Sequence, residues 1–216
     1  MSAVIDPLTV WTAVRLAERF GPIPLERIRT DPRPGFATEE DVVRINDHED
    51  RLCELVDGIL VEKAMGAYES MLAGEILRLI GNFVKPRKLG TVLGEAGMLR
   101  LAPGLVRIPD VAFLSMEKFP SGRFPKGAIA PLAPDIAVEV LSASNTRQEM
   151  AEKLQEYFRY GARLVWYVDP ERRTIQVFTS VENSRTLGES DLLDGGEVLP
   201  EFQLNIRELF AELPPE

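Results

Sequence analysis

Three acidic residues stand where a β-strand would normally carry an apolar side chain. Glu54 lies in RLCELVDG, Asp110 in IPDVAFL and Glu139 in DIAVEVLS. Side chains alternate along a strand, so Val138 and Val140 point away from the face that carries Glu139. Apolar residues on both faces indicate a strand covered on both sides, where an unpaired carboxylate costs several kcal/mol. Each acid therefore needs a partner, which is a basic side chain, a hydrogen-bond network or a metal ion.

Asp110 and Glu139 could share one cation if their strands are neighbours. Residues directly opposite each other on adjacent strands have Cβ atoms about 5 Å apart. Mg²⁺ and Mn²⁺ prefer oxygen ligands of this kind, and such an ion can activate water for attack on phosphorus. The chain has one histidine, His48, and one cysteine, Cys53, so by itself it cannot form a tetrahedral Cys/His zinc site. The predicted cofactor is Mg²⁺ or Mn²⁺.

Lys153 is the fourth candidate residue. It borders an apolar stripe formed by Met150, Leu154, Tyr157 and Phe158 on a predicted helix. This helix directly follows the strand of the third acid, so we expect it to lie against the sheet. From this border a lysine can extend its stem towards a carboxylate pair while its ammonium stays in water. There it could stabilise negative charge developing on a phosphate, or orient the attacking water.

Structural explanations compete with each of these assignments. Glu139 could form an ion pair with Lys153 or Arg147 that only stabilises the fold. Asp110 could simply begin a strand or turn, and Glu54 could face solvent beside a hairpin. Lys153 taken alone is typical of a surface lysine. The four residues together favour a catalytic site more strongly than any one of them does.

The charge distribution limits the substrate classes. A net charge of −9 argues against a protein that grips nucleic acid through an overall positive surface, although a local basic surface is still allowed. Residues 85–126 are rich in basic side chains and form the candidate footprint for an anionic substrate, with ordinary solvated surface as the alternative. From this segment we predict Arg107 and Lys126 as substrate contacts, together with Arg147 beyond it.

The elements that position these residues can be predicted from local patterns. Asp57-Gly58 between two apolar runs predicts a hairpin of strands over 51–56 and 59–63. Apolar spacing predicts a helix over 69–84, and the capping box of Thr146 and Glu149 begins the helix that carries Lys153. Further strands are predicted near 90–94, 97–101, 107–114, 135–141, 164–169 and 174–179, and short helices over 39–47 and near 206–212. This order predicts an α/β (α+β) fold with a mixed sheet and packed helices.

The chain is predicted to consist of two parts, residues 1–50 and 51–216. The first part has an apolar-periodic segment that ends at Gly21, followed by a proline-rich stretch, which is typical of a helical extension and linker. No basic targeting segment precedes its apolar residues, and no stretch reaches the roughly 18 apolar residues that span a bilayer. We expect a cytoplasmic protein with no membrane partner, and a single cysteine fits a reducing compartment.

Residues from about 51 to 212 resemble the Uma-two family of bacterial endonucleases, a branch of the PD-(D/E)XK phosphodiesterase superfamily. The matching stretches are CELVDGILVE (53–62), IPDVAFLS (108–115), APDIAVEVLSASN (133–145), EKLQEYFRYGARLVWYVDPERRTIQVF (152–178) and LFAEL (209–213). The resemblance implies a restriction-endonuclease-like core, with a central mixed sheet flanked by helices, that uses Mg²⁺ to cut phosphodiester bonds.

The resemblance also assigns roles to the acids and the lysine. Asp110 matches the motif aspartate and Glu139 the motif glutamate. The usual lysine position, two residues after the glutamate, holds Leu141 here, and Lys153 on the following helix takes its place. Glu54 matches the acid of the family's E-L-x-D-G stretch and is predicted to be an extra metal or water ligand. Members often have a histidine where this chain reads GAYESMLAGEIL, so a role for that histidine does not transfer.

These observations predict a metal-dependent endonuclease that acts on DNA. The alternative is a catalytically inactive nuclease-fold module that binds or assembles, which the negative net charge favours because a nuclease must approach a polyanion. A carboxylate-based glycosidase, which needs no lysine, ranks below both. A homodimer would suit double-strand cutting, and its candidate interface consists of Trp166, Tyr167, Phe178 and the C-terminal tail.

Overall fold

The computed structural model describes residues 10–49, 51–63 and 66–211, apart from the side chain of Ser121. The beginning of the predicted N-terminal helix and the end of the predicted C-terminal helix lie outside these residues. The helices and strands of the described part are α1 (Ala13–Phe20), α2 (Glu39–His48), β1 (Cys53–Val56), β2 (Ile59–Glu62), α3 (Ala67–Arg87), β3 (Gly90–Leu93), β4 (Leu99–Ala102), β5 (Leu105–Arg107), β6 (Val111–Ser115), β7 (Ile136–Val140), α4 (Arg147–Arg159), β8 (Leu164–Asp169), β9 (Thr174–Phe178), β10 (Ser184–Leu187), β11 (Leu192–Gly195), β12 (Leu199–Asn205) and α5 (Ile206–Ala211).

A mixed sheet forms the centre of the molecule. Its strands lie in the order β10-β9-β8-β7-β6-β3, and within it β7 and β8 run parallel while the other neighbours run antiparallel. A second, antiparallel sheet has the order β2-β1-β5-β4, and β11 pairs with β12. The parallel pair is connected through α4, as a parallel pair requires a crossover. The predicted mixed sheet with packed helices is confirmed.

The strand β7 is buried along its whole length because a helix covers each face of the mixed sheet. Ile136 and Val138 pack in one cluster with the α3 residues Leu72 and Ile76. On the opposite face, Ala137 packs in a separate cluster with α4 side chains. The alternation of a strand therefore directs Glu139, two residues after Ala137, towards α4.

Two predicted local signals are confirmed in the backbone. Asp57 and Gly58 both have positive φ, 53° and 72°, as the tight turn between β1 and β2 requires. Thr146 caps α4 by accepting from the backbone of Glu149, whose side chain accepts from the backbone of Thr146. The helix that carries Lys153 thus begins where its sequence predicts.

The predicted single strand over 107–114 is wrong. The strand β5 ends at Arg107 in the four-stranded sheet, and β6 begins at Val111 in the mixed sheet. Residues 108–110 cross between the two sheets, where Pro109 has no N–H to continue a ladder. This crossing places Asp110 at the junction of the sheets.

The segment before β1 packs on the four-stranded sheet. Leu16, Phe20 and Ile23 form one cluster with Ile59 and other residues of the β1–β2 hairpin. The buried residues of α2 form another cluster with the opposite side chains of β1. The division of the chain at residue 50 stays a prediction.

Three aromatic residues suggested for a dimer interface are instead core residues. Trp166, Tyr167 and Phe178 are at most 8% exposed and pack within the chain. Their strands β8 and β9 lie inside the mixed sheet, which explains the burial. Among the described residues, no helix combines the length and apolar character that crossing a bilayer would demand.

Candidate active site

The three acids and the lysine meet where the two sheets and α4 come together. Glu54 comes from β1, Asp110 from the crossing before β6, Glu139 from β7 and Lys153 from α4. Each of these residues is at most 4% exposed. Four polar side chains from four separate segments therefore share one buried location.

The strands of Asp110 and Glu139 are neighbours. In the antiparallel pair β6–β7, Val111 lies opposite Val138, and continuing this register by one residue sets Asp110 opposite Glu139. The backbone N–H of Val140 donates to Asp110 Oδ2 over 2.6 Å. The aspartate side chain is therefore held against the end of β7, beside the glutamate.

Lys153 lies between two carboxylates. Its Nζ is 3.2 Å and 3.3 Å from the two carboxylate oxygens of Glu139, and 3.2 Å from Oε1 of Glu54. The hydroxyl of Tyr157, one helical turn further along α4, donates to Glu139 Oε1 over 2.5 Å. The expectation that this ammonium stays in water is wrong, because α4 packs closely enough to enclose it (3% exposed).

Arg107 holds Glu54 in position. The pairing of Leu55 with Val106 sets Arg107 opposite Glu54 across the β1–β5 ladder. Arg107 Nη1 donates to Glu54 Oε2 over 2.8 Å and Nε donates to Glu156 Oε2 over 2.7 Å. Arg107 was predicted to contact substrate, but it is 3% exposed and both of its charged contacts are carboxylates. In the structure Arg107 is instead a buried residue that holds the carboxylates of Glu54 and Glu156 in place.

The ammonium of Lys63 forms an ion pair with the carboxylate of Asp110. Its Nζ lies 2.6 Å from Asp110 Oδ1, with the two side chains 6% and 3% exposed. Among residues 10–49, 51–63 and 66–211, neither atom has a hydrogen-bond partner with aligned geometry. The contact is therefore a close approach of opposite charges without the direction of a hydrogen bond.

The two glutamates have opposite pKa shifts. Burial raises the pKa of Glu139 to about 7; the charge of Lys153 opposes this shift, whereas Asp110 and Glu54 add to it. For Glu54, burial is outweighed by Lys153, Arg107 and the N–H of Ile108, which together lower its pKa to about 2. Burial thus favours the neutral form of Glu139, whereas the neighbouring positive charges favour the charged form of Glu54.

The other two predicted substrate contacts lie on the surface. Lys126 is exposed on the segment between β6 and β7, and Arg147 is exposed as the first residue of α4. Arg147 lines a cavity of about 540 Å³ with residues of β8 and β9, among them Tyr167. The structure thus presents Lys126 and Arg147 to solvent but does not place them within the acid cluster.

Two adjoining cavities lead to the acid cluster. Lys63 lines one of about 340 Å³, and Asp110 lines another of about 470 Å³. Both cavities share Ser70 and Glu95 in their walls, where Ser70 Oγ donates to Glu95 Oε2 over 3.2 Å. Solvent and small ions can therefore approach the aspartate from beside α3.

The fit of a divalent ion can be judged from the donors. Within residues 10–49, 51–63 and 66–211, no group of three or more His, Cys, Asp or Glu side chains is arranged to hold a metal. Asp110 Oδ1, however, is a hard oxygen that accepts no hydrogen bond from the described residues. The neighbouring Glu139 supplies two more oxygens of this type, which Lys153 and Tyr157 contact. The pair suits Mg²⁺ or Mn²⁺ if Lys63 gives up its contact.

Sequence reasoning missed Tyr157, Glu156 and Lys63. Tyr157 could have been found, since it lies four residues after Lys153 and therefore on the same side of α4. Lys63 gave no such signal. It follows β2, and its reach to Asp110 depends on how the two sheets pack.

The fold is that of the restriction-endonuclease-like nucleases. A crystal structure described as a "putative nuclease belonging to DUF820" from Anabaena variabilis matches with a TM-score of 0.67 at 19% identity, over 76% of this chain and 92% of that one. The family model Uma2, described as "Putative restriction endonuclease", matches residues 39–207. The chain therefore belongs to the Uma2 family, which confirms the resemblance seen in its motifs. No curated protein matches it.

Proposed function

We propose that the chain is a metal-dependent endonuclease that hydrolyses phosphodiester bonds of DNA, with Asp110, Glu139 and Lys153 as catalytic residues. One observation carries the proposal: these three residues and Glu54 come from four segments and share one buried location. Burying several carboxylates is costly, so the fold alone gains little from such a cluster. Membership in a family described as restriction endonuclease supports the nuclease class and the DNA substrate.

Asp110 and Glu139 are the residues that would hold Mg²⁺ or Mn²⁺, with Glu54 as a nearby further oxygen donor. Oδ1 of Asp110, which contacts the Lys63 ammonium but accepts no hydrogen bond from the described residues, is the atom that fits this role best. A bound divalent ion supplies Lewis-acid polarisation of the scissile phosphate.

Lys153 supplies a fixed positive charge to the site. Burial opposes its charge, but Glu139 and Glu54 outweigh burial and raise its pKa, so the ammonium stays protonated. This charge stabilises the negative charge that grows on the phosphate during attack. Tyr157 orients the Glu139 carboxylate, and Arg107 orients that of Glu54.

The exposed side chains of Lys126 and Arg147 are proposed to contact the DNA backbone. Lysine and arginine on a surface bind phosphates without reading the base sequence. They supply local positive charge on a protein whose net charge is −9. The proposal includes a cytoplasmic location.

A second candidate function is a nuclease-fold module that binds without cutting. The observation that favours it is charge balance, because Lys63, Lys153 and Arg107 already contact the three acids. A site neutralised by its own side chains has less need of a metal ion.

The test is cleavage of supercoiled plasmid DNA in Mn²⁺ or Mg²⁺ by the full chain. We expect nicked and linear products with the wild type, and none with Glu139→Gln or in excess chelator. Glu197→Gln makes the same charge change on an exposed loop and should cut like the wild type. Circular dichroism checks that each variant is folded. A folded wild type that cuts neither DNA nor RNA would overturn the nuclease and leave the binding module as the remaining candidate, and cleavage of RNA alone would overturn the DNA substrate.

A further inference from the structure

Lys63 has an unusual contact with Asp110. One carboxylate oxygen of Asp110 accepts from the backbone of Val140 over 2.6 Å, while the other contacts the ammonium of Lys63, also at 2.6 Å. The ammonium itself donates no aligned hydrogen bond to any residue in the described part of the chain. Lys153, by comparison, donates to both oxygens of Glu139. Lys63 therefore neutralises Asp110 by charge without being locked to it by direction.

We propose that Lys63 is a displaceable counter-ion, which occupies the cation position at Asp110 and leaves it when a divalent ion binds. The inference rests on the proposed function, because it concerns the same site. It assigns to Lys63 control of metal affinity and not a contact with the scissile phosphate.

The ammonium has a place to move to. Lys63 lines the cavity of about 340 Å³ together with Glu62 and Glu95, so a change of rotamer brings its charge to water and to other carboxylates. A lysine stem is flexible and carries a single point charge, which suits such an exchange. Asp110 lines the adjoining cavity of about 470 Å³. An ion can arrive through one cavity while the ammonium withdraws into the other.

Electrostatics makes the two cations alternatives. A divalent ion bound at Asp110 Oδ1 would lie within a few ångströms of an ammonium that stayed in place, in a region where water screens charges poorly. Displacement removes this repulsion and keeps the buried aspartate compensated in both states. The cost is affinity, since each metal ion that binds must break the contact between Lys63 and Asp110.

The first test is calorimetric titration of the full chain with Mn²⁺. Lys63→Met keeps the length of the side chain but removes its charge, and we expect it to bind Mn²⁺ about tenfold more tightly than the wild type. Arg207→Gln makes the same change in net charge at an exposed position of α5 and should bind like the wild type. Mn²⁺ should also raise the melting temperature of Lys63→Met more than that of the wild type, because the ion then compensates an otherwise unpaired Asp110.

A second measurement uses the unaltered protein and covers the case in which Lys63→Met does not fold. An amine-reactive reagent labels the wild type with and without Mn²⁺, and mass spectrometry follows each lysine. We expect labelling of Lys63 to rise in Mn²⁺, while the enclosed Lys153 stays protected and the exposed Lys126 serves as a reference. Unchanged labelling of Lys63 in protein that binds Mn²⁺ would overturn the inference.

The outcomes separate this inference from the proposed function. If the wild type binds Mn²⁺ and cuts DNA but Lys63→Met binds no more tightly, only the counter-ion role fails. If neither protein binds Mn²⁺ and neither cuts nucleic acid, the metal-dependent nuclease fails and the inference fails with it. Tighter binding by Lys63→Met than by the wild type, together with plasmid cleavage by the wild type, supports both.

Discussion

Two buried ion-pair clusters contact α4, and they are built in opposite ways. At the start of the helix, Arg27 donates to both carboxylate oxygens of Glu149 over 3.0 Å and 2.7 Å. It also donates to the backbone carbonyls of Glu62 and Ser144. About one turn further along α4, Lys153 contacts two acids, and the charge of the nearby Asp110 is paired with Lys63 through a contact that lacks hydrogen-bond geometry.

The Arg27–Glu149 pair has the geometry of a structural ion pair, whereas the acid cluster around Lys153 has that of a reactive site. The planar guanidinium of Arg27 fits a carboxylate bidentately, which fixes both partners and ties the segment before β1 to α4. The acid cluster has more carboxylates than one partner can satisfy, beside cavities that admit ions. Arg27–Glu149 should therefore govern stability, while Asp110 and Glu139 should govern activity.

The largest expected difference is in cleavage. Asp110→Asn keeps an acceptor for the N–H of Val140 but loses a charged oxygen, so we expect plasmid cleavage to fall about a thousandfold, equal to about 4 kcal/mol of transition-state stabilisation. Glu149→Gln, the matched loss of one buried negative charge, should change cleavage per folded molecule by less than about threefold. Initial rates of nicking, corrected for the folded fraction, measure both. Equal losses in the two variants would erase the distinction between the clusters.

The next effect is on stability. Arg27→Met leaves the carboxylate of Glu149 buried without its partner, so we expect the free energy of unfolding to fall by about 3 kcal/mol. Arg27→Lys, which keeps the charge but loses the bidentate geometry, should lie between Arg27→Met and the wild type. Urea denaturation followed by circular dichroism gives the values. If Arg27→Met unfolds at the wild-type urea midpoint, the Arg27–Glu149 pair contributes nothing to the free energy of unfolding.

A smaller effect on both stability and cleavage is expected at Tyr157, which contacts Glu139 in the acid cluster. Tyr157→Phe removes the hydroxyl that donates to Glu139, which should cost about 1.5 kcal/mol of stability, as expected for a hydrogen bond to a charged group. Cleavage should fall about tenfold without being lost, because the hydroxyl orients a carboxylate and does not replace it. Tyr160→Phe, at the half-buried residue that follows the last residue of α4, is the control. An unchanged cleavage rate in Tyr157→Phe would remove Tyr157 from the site.

Much of the fold could be predicted because its signals are local. The turn at Asp57-Gly58, the capping box of α4 and the apolar run of β7 each depend on a few adjacent residues. The strands β10, β11 and β12 escaped prediction, since β10 has little buried surface and β11 and β12 are interrupted by exposed residues. Their apolar pattern is therefore weak, and pairing with neighbours defines them.

The residues of the candidate site likewise fall into those that could be predicted from local sequence and those that could not. Glu54, Asp110, Glu139 and Lys153 could be singled out because a charge in an apolar strand, or at the border of a helical stripe, is visible in the sequence. The inward direction of Arg107 and the contact of Lys63 could not be predicted in this way, because both depend on the packing of one sheet against another. Long-range packing of this kind leaves no pattern in a single sequence.

The smallest expected effect is the pH dependence of stability at Glu149, in the Arg27–Glu149 pair. Burial is outweighed by the hydrogen bonds from Arg27, so the pKa of Glu149 lies below its ordinary value of 4.5. A carboxyl with a lower pKa in the folded state stabilises the protein above pH 4.5, and this contribution is lost as pH falls through the folded value. A protonated Glu149 resembles glutamine, so the stability gap between wild type and Glu149→Gln should shrink on acidification. Urea midpoints between pH 7 and about 3 measure this gap. A stability gap that stays constant with pH would mean that the charge of Glu149 contributes nothing to the Arg27–Glu149 pair.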